Sequence, residues 1–283
     1  MRLSVIILSF NSAATIGATV AAAAQVAEEI YLVDSGSTDQ TLAEAQANYG
    51  GLRICTHSFV NYGEQRNWAI GSLPFAGDWE LHLDADEILS PELIAAIQRL
   101  KSLPEPQLED GYLIPRQVVF MGRTLRHGGM YPIWHLRLFR RGVGRCEARL
   151  YDQHFVLESQ RLGRLKAPMI DRIAMGLDEW TERHNRWASA EAAEYLRQTS
   201  RASTVEITPS FTGTAIERKR AWRSAYDQLP HFTRGWLLFL YRYIVRFGFL
   251  DGREGLIFFV LQCFWFRFLV DAKIYERRQR PAP

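Results

Sequence analysis

The chain opens with Leu3-Ser4-Val5-Ile6-Ile7-Leu8-Ser9, an almost unbroken apolar and β-branched run. A strand buried on both faces of a parallel sheet reads this way, whereas a half-exposed strand alternates. Phe10-Asn11-Ser12 breaks the run, and the alanine-rich residues 13–25 predict a helix. Residues 29–33 predict a second buried strand ending at Asp34. Ser35-Gly36-Ser37-Thr38-Asp39 then predicts a tight turn whose side chains start the next helix near Gln40. The opening is therefore β-α-β. Trp79-Glu80-Leu81-His82-Leu83 is a further strand-like run, followed by a helix after Ser90-Pro91 for which Glu87 is a candidate cap. Residues 111–120 and 134–139 alternate as strands do. A long helical pattern begins near Leu177, opened by Asp178-Glu179-Trp180 and continued by residues 190–196, and residues 217–226 predict another helix.

Asp84-Ala85-Asp86 ends the third of these strand-like runs. Two carboxylates held at the edge of a sheet suit a hard divalent cation, which takes oxygen ligands and leaves positions for substrate phosphates. The implied partner is a nucleoside diphosphate, although a solvated turn would carry the same residues. Asp34 also stands at the carboxyl end of a strand, where open α/β sheets bind ligands. It can reach a ribose or base there, or simply close the turn.

Three motifs come in order: Ser9-Phe10-Asn11, then Val33-Asp34-Ser35-Gly36-Ser37-Thr38-Asp39, then Leu83-Asp84-Ala85-Asp86-Glu87. Together they resemble the family 2 glycosyltransferases over the first 120 residues or so. The segment Asn61-Tyr62-Gly63-Glu64-Gln65-Arg66-Asn67-Trp68-Ala69 is similar to the bacterial branch that builds lipopolysaccharide core and surface polysaccharides. The resemblance implies an α/β GT-A fold, a Rossmann-like mixed sheet flanked by helices, with a UDP-sugar as donor. It assigns Ser9, Asn11, Asp34, Arg66, Asn67 and Asp84 to the nucleotide, and Asp86 to a magnesium or manganese ion. Asp84 is assigned to the ribose or to the water shell of the metal. Many members carry two adjacent acids where this chain has Asp34-Ser35. The Gln-x-x-Arg-Trp signature of processive synthases is also missing, since Arg183-His184-Asn185-Arg186-Trp187 lacks its Gln. One sugar per encounter is expected, with inversion at the anomeric carbon.

The acceptor hydroxyl must lose a proton as it attacks, which calls for a carboxylate or a histidine. The strand Leu136-Arg137-Leu138-Phe139-Arg140 precedes a loop, Cys146-Glu147-Ala148-Arg149-Leu150-Tyr151-Asp152-Gln153-His154, where related enzymes often place an acid. Asp152 is the first choice for the base, Glu147 the alternative, and an acid elsewhere stays open. His154 can orient the base or the leaving diphosphate, or be an ordinary core residue. The parts played by Arg137 and Arg140 depend on strand register.

A chain of 283 residues with 47% hydrophobic content can bury one large domain plus an appendage. The expected division is a catalytic domain over 1–175, a helical extension over 176–228 and amphipathic helices over 229–283. Cys55, Cys146 and Cys263 lack metal-ligand spacing and suit a reducing compartment. No leader is legible at the N-terminus, so the catalytic face is expected in the cytoplasm.

The net charge of +3 hides an asymmetry, because residues 212–283 hold 13 Lys and Arg against 6 Asp and Glu. Interleaved aromatic and aliphatic residues such as Trp236-Leu237-Leu238-Phe239-Leu240-Tyr241 argue for a lipid surface over nucleic acid. Within residues 212–283 the longest uncharged stretch, 255–266, has 12 residues, short of the roughly 18–20 that a bilayer-spanning helix needs. Two interfacial helices with a bend near Gly248 and Gly252 are expected, with Arg218-Lys219-Arg220 as a basic cluster or a solvated face. Packing of these apolar faces on the protein, or a dimer, is the alternative.

The reading is a peripheral enzyme on the inner face of the plasma membrane, passing a sugar from nucleotide to a lipid-linked saccharide. The alternative is a non-catalytic scaffold of a polysaccharide assembly complex. A dinucleotide-dependent dehydrogenase is excluded by Ser9-Phe10-Asn11-Ser12-Ala13-Ala14, which stands where the glycine fingerprint belongs. Oligomeric state is not legible.

Overall fold

A computed structural model describes residues 1–148, 153–159, 161–200, 210, 212 and 215–279. The described chain divides into two units. The first holds Met1–Leu125, Met130–Ala148 and the described part of Asp152–Ala174; the second holds Arg126–Gly129 and the described part of Met175–Pro283.

The first unit runs β1 (Leu3–Ser9), α1 (Ala13–Ala23), β2 (Glu29–Asp34), α2 (Thr41–Asn48), β3 (Arg53–Thr56), α3 (Tyr62–Ser72), β4 (Trp79–Asp84), β5 (Glu87–Leu89) and α4 (Pro91–Ser102). It continues with β6 (Gly111–Phe120), β7 (Arg123–Thr124), β8 (Ile133–Arg140), β9 (Gly144–Cys146), β10 (Phe155–Leu157), β11 (Leu162–Arg164) and β12 (Met169–Ile173). Among the described residues, ten strands form one sheet in the order β3-β2-β1-β4-β8-β6-β12-β5, with β7 and β11 beside β6. The strands β3, β2, β1 and β4 are parallel, while β8 pairs antiparallel with both β4 and β6. The sheet is mixed, as expected. The strands expected at 111–120 and 134–139 are present and belong to this sheet.

Every residue of β1 and β2 is buried, which accounts for their lack of alternation. One face packs Leu3, Val5, Ile7, Leu32, Leu81 and Leu83 against Ile16 and Val20 of α1 and Leu93 and Ile97 of α4. On the other face Ile6, Tyr31 and Val33 meet Ala69 of α3 and the loop residues Leu73 and Phe75. Asn61 caps α3 by accepting the Glu64 N–H at 2.9 Å. In α4 the cap is Ser90, whose Oγ accepts the Leu93 N–H at 3.1 Å, with Pro91 in the first turn. Glu87 does not cap that helix. It lies in β5, drawn inward by the groups described below.

The second unit contains α5 (Leu177–Ser200), α6 (Ala215–Asp227), α7 (Arg234–Leu240), α8 (Gly252–Phe259) and α9 (Phe266–Gln279). A π-helical turn, Tyr241–Val245, extends α7, and another, Val260–Trp265, joins α8 to α9. Ala188 and Ala192 of α5 pack on Phe266, Val270 and Ile274 of α9. The predicted bend falls near Phe247, and the helical run that starts at it, Gly248–Gln279, spans 32 residues and is long and apolar enough to cross a bilayer by length and composition. Counting only uncharged residues missed this, because isolated charges do not end a helix.

Candidate active site

β1 lies between β2 and β4, with Ser9 opposite Asp34 and Leu8 opposite Asp84. The chain leaves β1 toward β2 and returns to the other side of β1 only at β4. Connections diverge at such a switch point, opening the crevice where α/β sheets bind ligands. Ser9, Asn11, Asp34, Asp84 and Asp86 all fall at this edge.

Asp34 is buried and its carboxylate is fully engaged. Oδ1 accepts from Ser9 Oγ at 2.8 Å and Ser37 Oγ at 2.5 Å; Oδ2 accepts from the N–H groups of Gly36 and Ser37 at 2.9 and 2.7 Å. Gly36, at φ 87°, supplies the left-handed residue of this turn. Asn11 is also left-handed, at φ 45°; its Oδ1 accepts the Thr38 N–H at 2.8 Å and its own N–H donates to Ser37 Oγ at 2.9 Å. These residues tie the β1–α1 turn to the β2–α2 turn.

Asp84 stands among opposite charges. Arg66 Nη2 donates to its Oδ1 and Oδ2 at 2.8 and 3.2 Å, and Arg137 Nη2 donates to Oδ2 at 3.0 Å and to Glu87 Oε1 at 2.6 Å. Glu87 Oε2 accepts the Asp84 N–H at 3.0 Å. Burial pushes the Asp84 carboxyl up, but the two guanidiniums, Arg66 ahead of Arg137, outweigh it and hold it well below the usual carboxylate range. For Glu87 burial wins over Arg137, and its carboxyl is raised. The turn beyond is held from two sides: Thr19 Oγ1 of α1 donates to the Ala85 carbonyl at 2.9 Å, and the Arg172 N–H of β12 donates to the Asp86 carbonyl at 3.0 Å. The Asp86 side chain is half-buried. Among the described residues no three His, Cys, Asp or Glu side chains gather as a metal cluster.

Helix α3 delivers two of the expected residues in different directions. Arg66 reaches Asp84, its guanidinium 5.3 Å from the Phe155 ring and 5.8 Å from that of Tyr62. Asn67 instead holds β9, its Nδ2 donating to the Cys146 carbonyl at 2.9 Å and its Oδ1 accepting the Cys146 N–H at 2.7 Å. Gly63 allows this closeness, since a Cβ there would meet the Glu147 carbonyl at 2.5 Å. Glu147 is buried beside His154; its Oε2 accepts the His154 N–H at 2.9 Å and lies 3.3 Å from Nδ1. Asp152 lies outside the described residues.

The sequence profile described as Glycosyl transferase family 2 matches residues 4–146, which hold β1 to β9 and every one of these contacts up to Cys146. The chain belongs to that family. Among its relatives is the lipopolysaccharide core biosynthesis glycosyltransferase LpsC of Rhizobium meliloti (strain 1021), 22% identical over 98% of this chain and 93% of that protein. An uncharacterized glycosyltransferase of Rickettsia bellii (strain RML369-C) is 32% identical over 40% of this chain, a match spanning 36% of that relative's length. The crystal structure of S. aureus TarS 1-349 in complex with UDP-GlcNAc superposes over 100% of this chain and 93% of that one, with a TM-score of 0.51 at 15% identity. At that identity the likeness shows the fold. This family 2 glycosyltransferase therefore has a GT-A-like core and is related to the bacterial lipopolysaccharide-core and surface-polysaccharide enzymes.

Reading the sequence left the part of Arg137 open and offered Glu87 as a helix cap, whereas the structure brings both to Asp84. Arg137 and Arg140 are three apart on β8, so they point to opposite faces: Arg137 to Asp84, Arg140 to Glu105 and Asp110 with its guanidinium 4.9 Å from the Trp79 ring. No local signal marked the pairing, because on a strand the neighbours Leu136 and Leu138 point away from the side that Arg137 takes.

Proposed function

We propose that this glycosyltransferase moves one sugar from a UDP-sugar to a lipid-linked saccharide in cell-envelope polysaccharide or lipopolysaccharide synthesis, at the inner face of the plasma membrane. The observation that carries the reading is the crevice at the carboxyl ends of β1, β2 and β4, with Asp84 pinned there by Arg66 and Arg137. The match to LpsC along nearly the whole of both chains supports the acceptor class.

Asp84 and Asp86 form a hard-oxygen pair that fits magnesium or manganese, Asp86 as the direct ligand and Asp84 toward the ribose or the metal's water. Bound there, such an ion would neutralise charge on the departing diphosphate. The protein's own share is orientation. Arg66 and Arg137 fix the Asp84 carboxylate in one position and balance its charge. The linked turns of Ser9, Asn11 and Asp34 hold the floor on which the nucleotide rests.

On the acceptor side a carboxylate takes the hydroxyl proton, with Asp152 the first choice and Glu147 the alternative. The acceptor oxygen then bonds to the anomeric carbon as the bond to the diphosphate oxygen breaks on the opposite face. UDP leaves, and the configuration inverts without a covalent enzyme intermediate.

Calorimetric titration of UDP with and without manganese, on the parent and on Asp86→Ala, tests the donor end. Manganese-dependent binding that falls at least tenfold in a folded variant is the expected result. A folded parent that ignores UDP under both conditions would overturn the UDP-sugar assignment, and the absence of turnover with any nucleotide-sugar would favour the scaffold.

A further inference from the structure

We infer that the turn joining the two C-terminal helical runs, residues 244–250, is a wedge that docks the protein on an anionic phospholipid surface without crossing it. The inference rests on the membrane-side reading above, and it specifies which residues enter and how the wedge is held.

The turn is apolar and uncovered. Ile244, Val245, Phe247, Phe249 and Leu250 are 46–61% exposed, and Leu240 and Tyr241 before them are 43% and 48% exposed. Phe247 and Phe249 stand together with ring centroids 6.0 Å apart. Large apolar side chains gathered this way mark an interaction site rather than ordinary surface.

The charges around the turn select the partner. Arg246 within it and Arg253 just after it are exposed. Of the two carboxylates that follow the turn, Glu254 is half-buried beside Arg253, and Asp251 is buried and turned inward, accepting the N–H groups of Arg126 at 3.1 Å and His127 at 2.9 Å and lying 2.7 Å from His127 Nδ1. The wedge therefore presents cations beside hydrocarbon, the complement of an anionic headgroup layer over acyl chains.

The same contacts give the wedge a fixed shape. Phe247 is left-handed at φ 58°, and the Arg246 carbonyl accepts the Gly128 N–H at 2.8 Å. Gly128, at φ 63°, lies flat on the Phe259 ring, where a side chain would collide. The segment Arg126–Gly129 thus braces the turn from behind.

Docking rather than spanning follows from α9. Its Asp271 is buried and takes Arg234, the His231 ring at 3.0 Å and the Phe232 N–H at 2.7 Å. Arg267 bonds Glu191 at 2.6 Å and Lys273 bonds Ser189 at 2.7 Å, both on α5. A helix stitched by charged groups along this length would have to surrender them all to enter a bilayer alone.

Flotation of the full chain with vesicles is the test, using phosphatidylcholine alone and a three-to-one mixture with phosphatidylglycerol. The expected result is binding to the mixed vesicles, weakened at least tenfold by Phe249→Asp with Leu250→Asp. Neutralising Arg246 and Arg253 to Gln should weaken it by about fivefold each, equivalent to about 1 kcal/mol per cation. Leu103→Asp, at an exposed apolar residue of the first unit, should change nothing. Alkaline carbonate should release the bound protein, and circular dichroism checks that each variant is folded.

Wedge variants that bind like the parent, a parent that ignores both vesicles, or protein that only detergent extracts would each overturn the inference. So would a dimer that Leu250→Asp dissociates, because a second copy would then cover the turn. No sugar is transferred in this assay. A protein that docks but does not transfer refutes only the proposed reaction, and one that transfers in detergent but does not dock refutes only the wedge.

Discussion

Replacing Arg137 with Met keeps most of the side-chain volume and removes the charge that Asp84 and Glu87 share. Asp84 retains Arg66 at 2.8 Å, whereas Glu87, 2% exposed, is left with the Asp84 N–H at 3.0 Å. Breaking a buried pair from one side costs about 3–5 kcal/mol, because the abandoned charge stays desolvated. Glu87 can escape by taking a proton, and its carboxyl is already raised by burial in the parent. Without Arg137 it rises further. Between the raised value of the parent and the still higher value of the variant, only the folded variant holds the extra proton. The deficit of the variant therefore grows as pH rises, by about 1.4 kcal/mol per unit. Urea unfolding followed by circular dichroism should put Arg137→Met about 3 kcal/mol below the parent at pH 8, with a clearly smaller deficit at pH 5.5. Adding Glu87→Gln, which removes the stranded charge, should recover at least half the loss. A single variant within about 0.5 kcal/mol of the parent at both pH values would refute the argument. So would a double variant less stable than the single one.

Asn67→Ala, which strands the Cys146 N–H and carbonyl, should cost about 2 kcal/mol in the same urea assay. If Asn67 instead serves mainly to touch the nucleotide, stability will hold while UDP binding falls. Gly128→Ala forces a Cβ toward Phe259 at a positive φ and should cost about 2 kcal/mol or more, read as an earlier thermal transition. His184 is buried, stacked 3.4 Å from Trp180, and burial pushes its imidazole down to about 4. Its neutral form is favoured by folding, so that stability is complete above the unfolded value near 6.5 and is lost as pH falls toward about 4. The loss should reach about 3 kcal/mol. Tryptophan fluorescence during acid titration should show it in the parent and not in His184→Leu.

The hydrophobic pattern by itself determined the β-α-β opening, because strands buried on both faces must be continuously apolar. The order of the motifs on β1, β2 and β4 also pointed to the family, which the match over residues 4–146 shows, and brought the candidate residues to one edge of the sheet. Ser90-Pro91 was legible as a helix start, since caps act within a few residues of the groups they satisfy, whereas the cap at Asn61 came only from the structure.

What stands opposite what was decided only in three dimensions. Asp84 and Arg137 are 53 residues apart, and whether Arg137 or Arg140 faces the acid depends on the register of β8 against β4. A one-residue slip would reverse that choice. Asn67 was legible as a polar residue in a nucleotide-binding segment, but its partner is the backbone of β9, 79 residues on. Asp251 looked like a bend residue; only packing brings it the N–H groups of Arg126 and His127, from a segment more than 120 residues earlier. Pairing of this kind leaves no local pattern, because a carboxylate's need for donors can be met from any part of the chain that folding brings near.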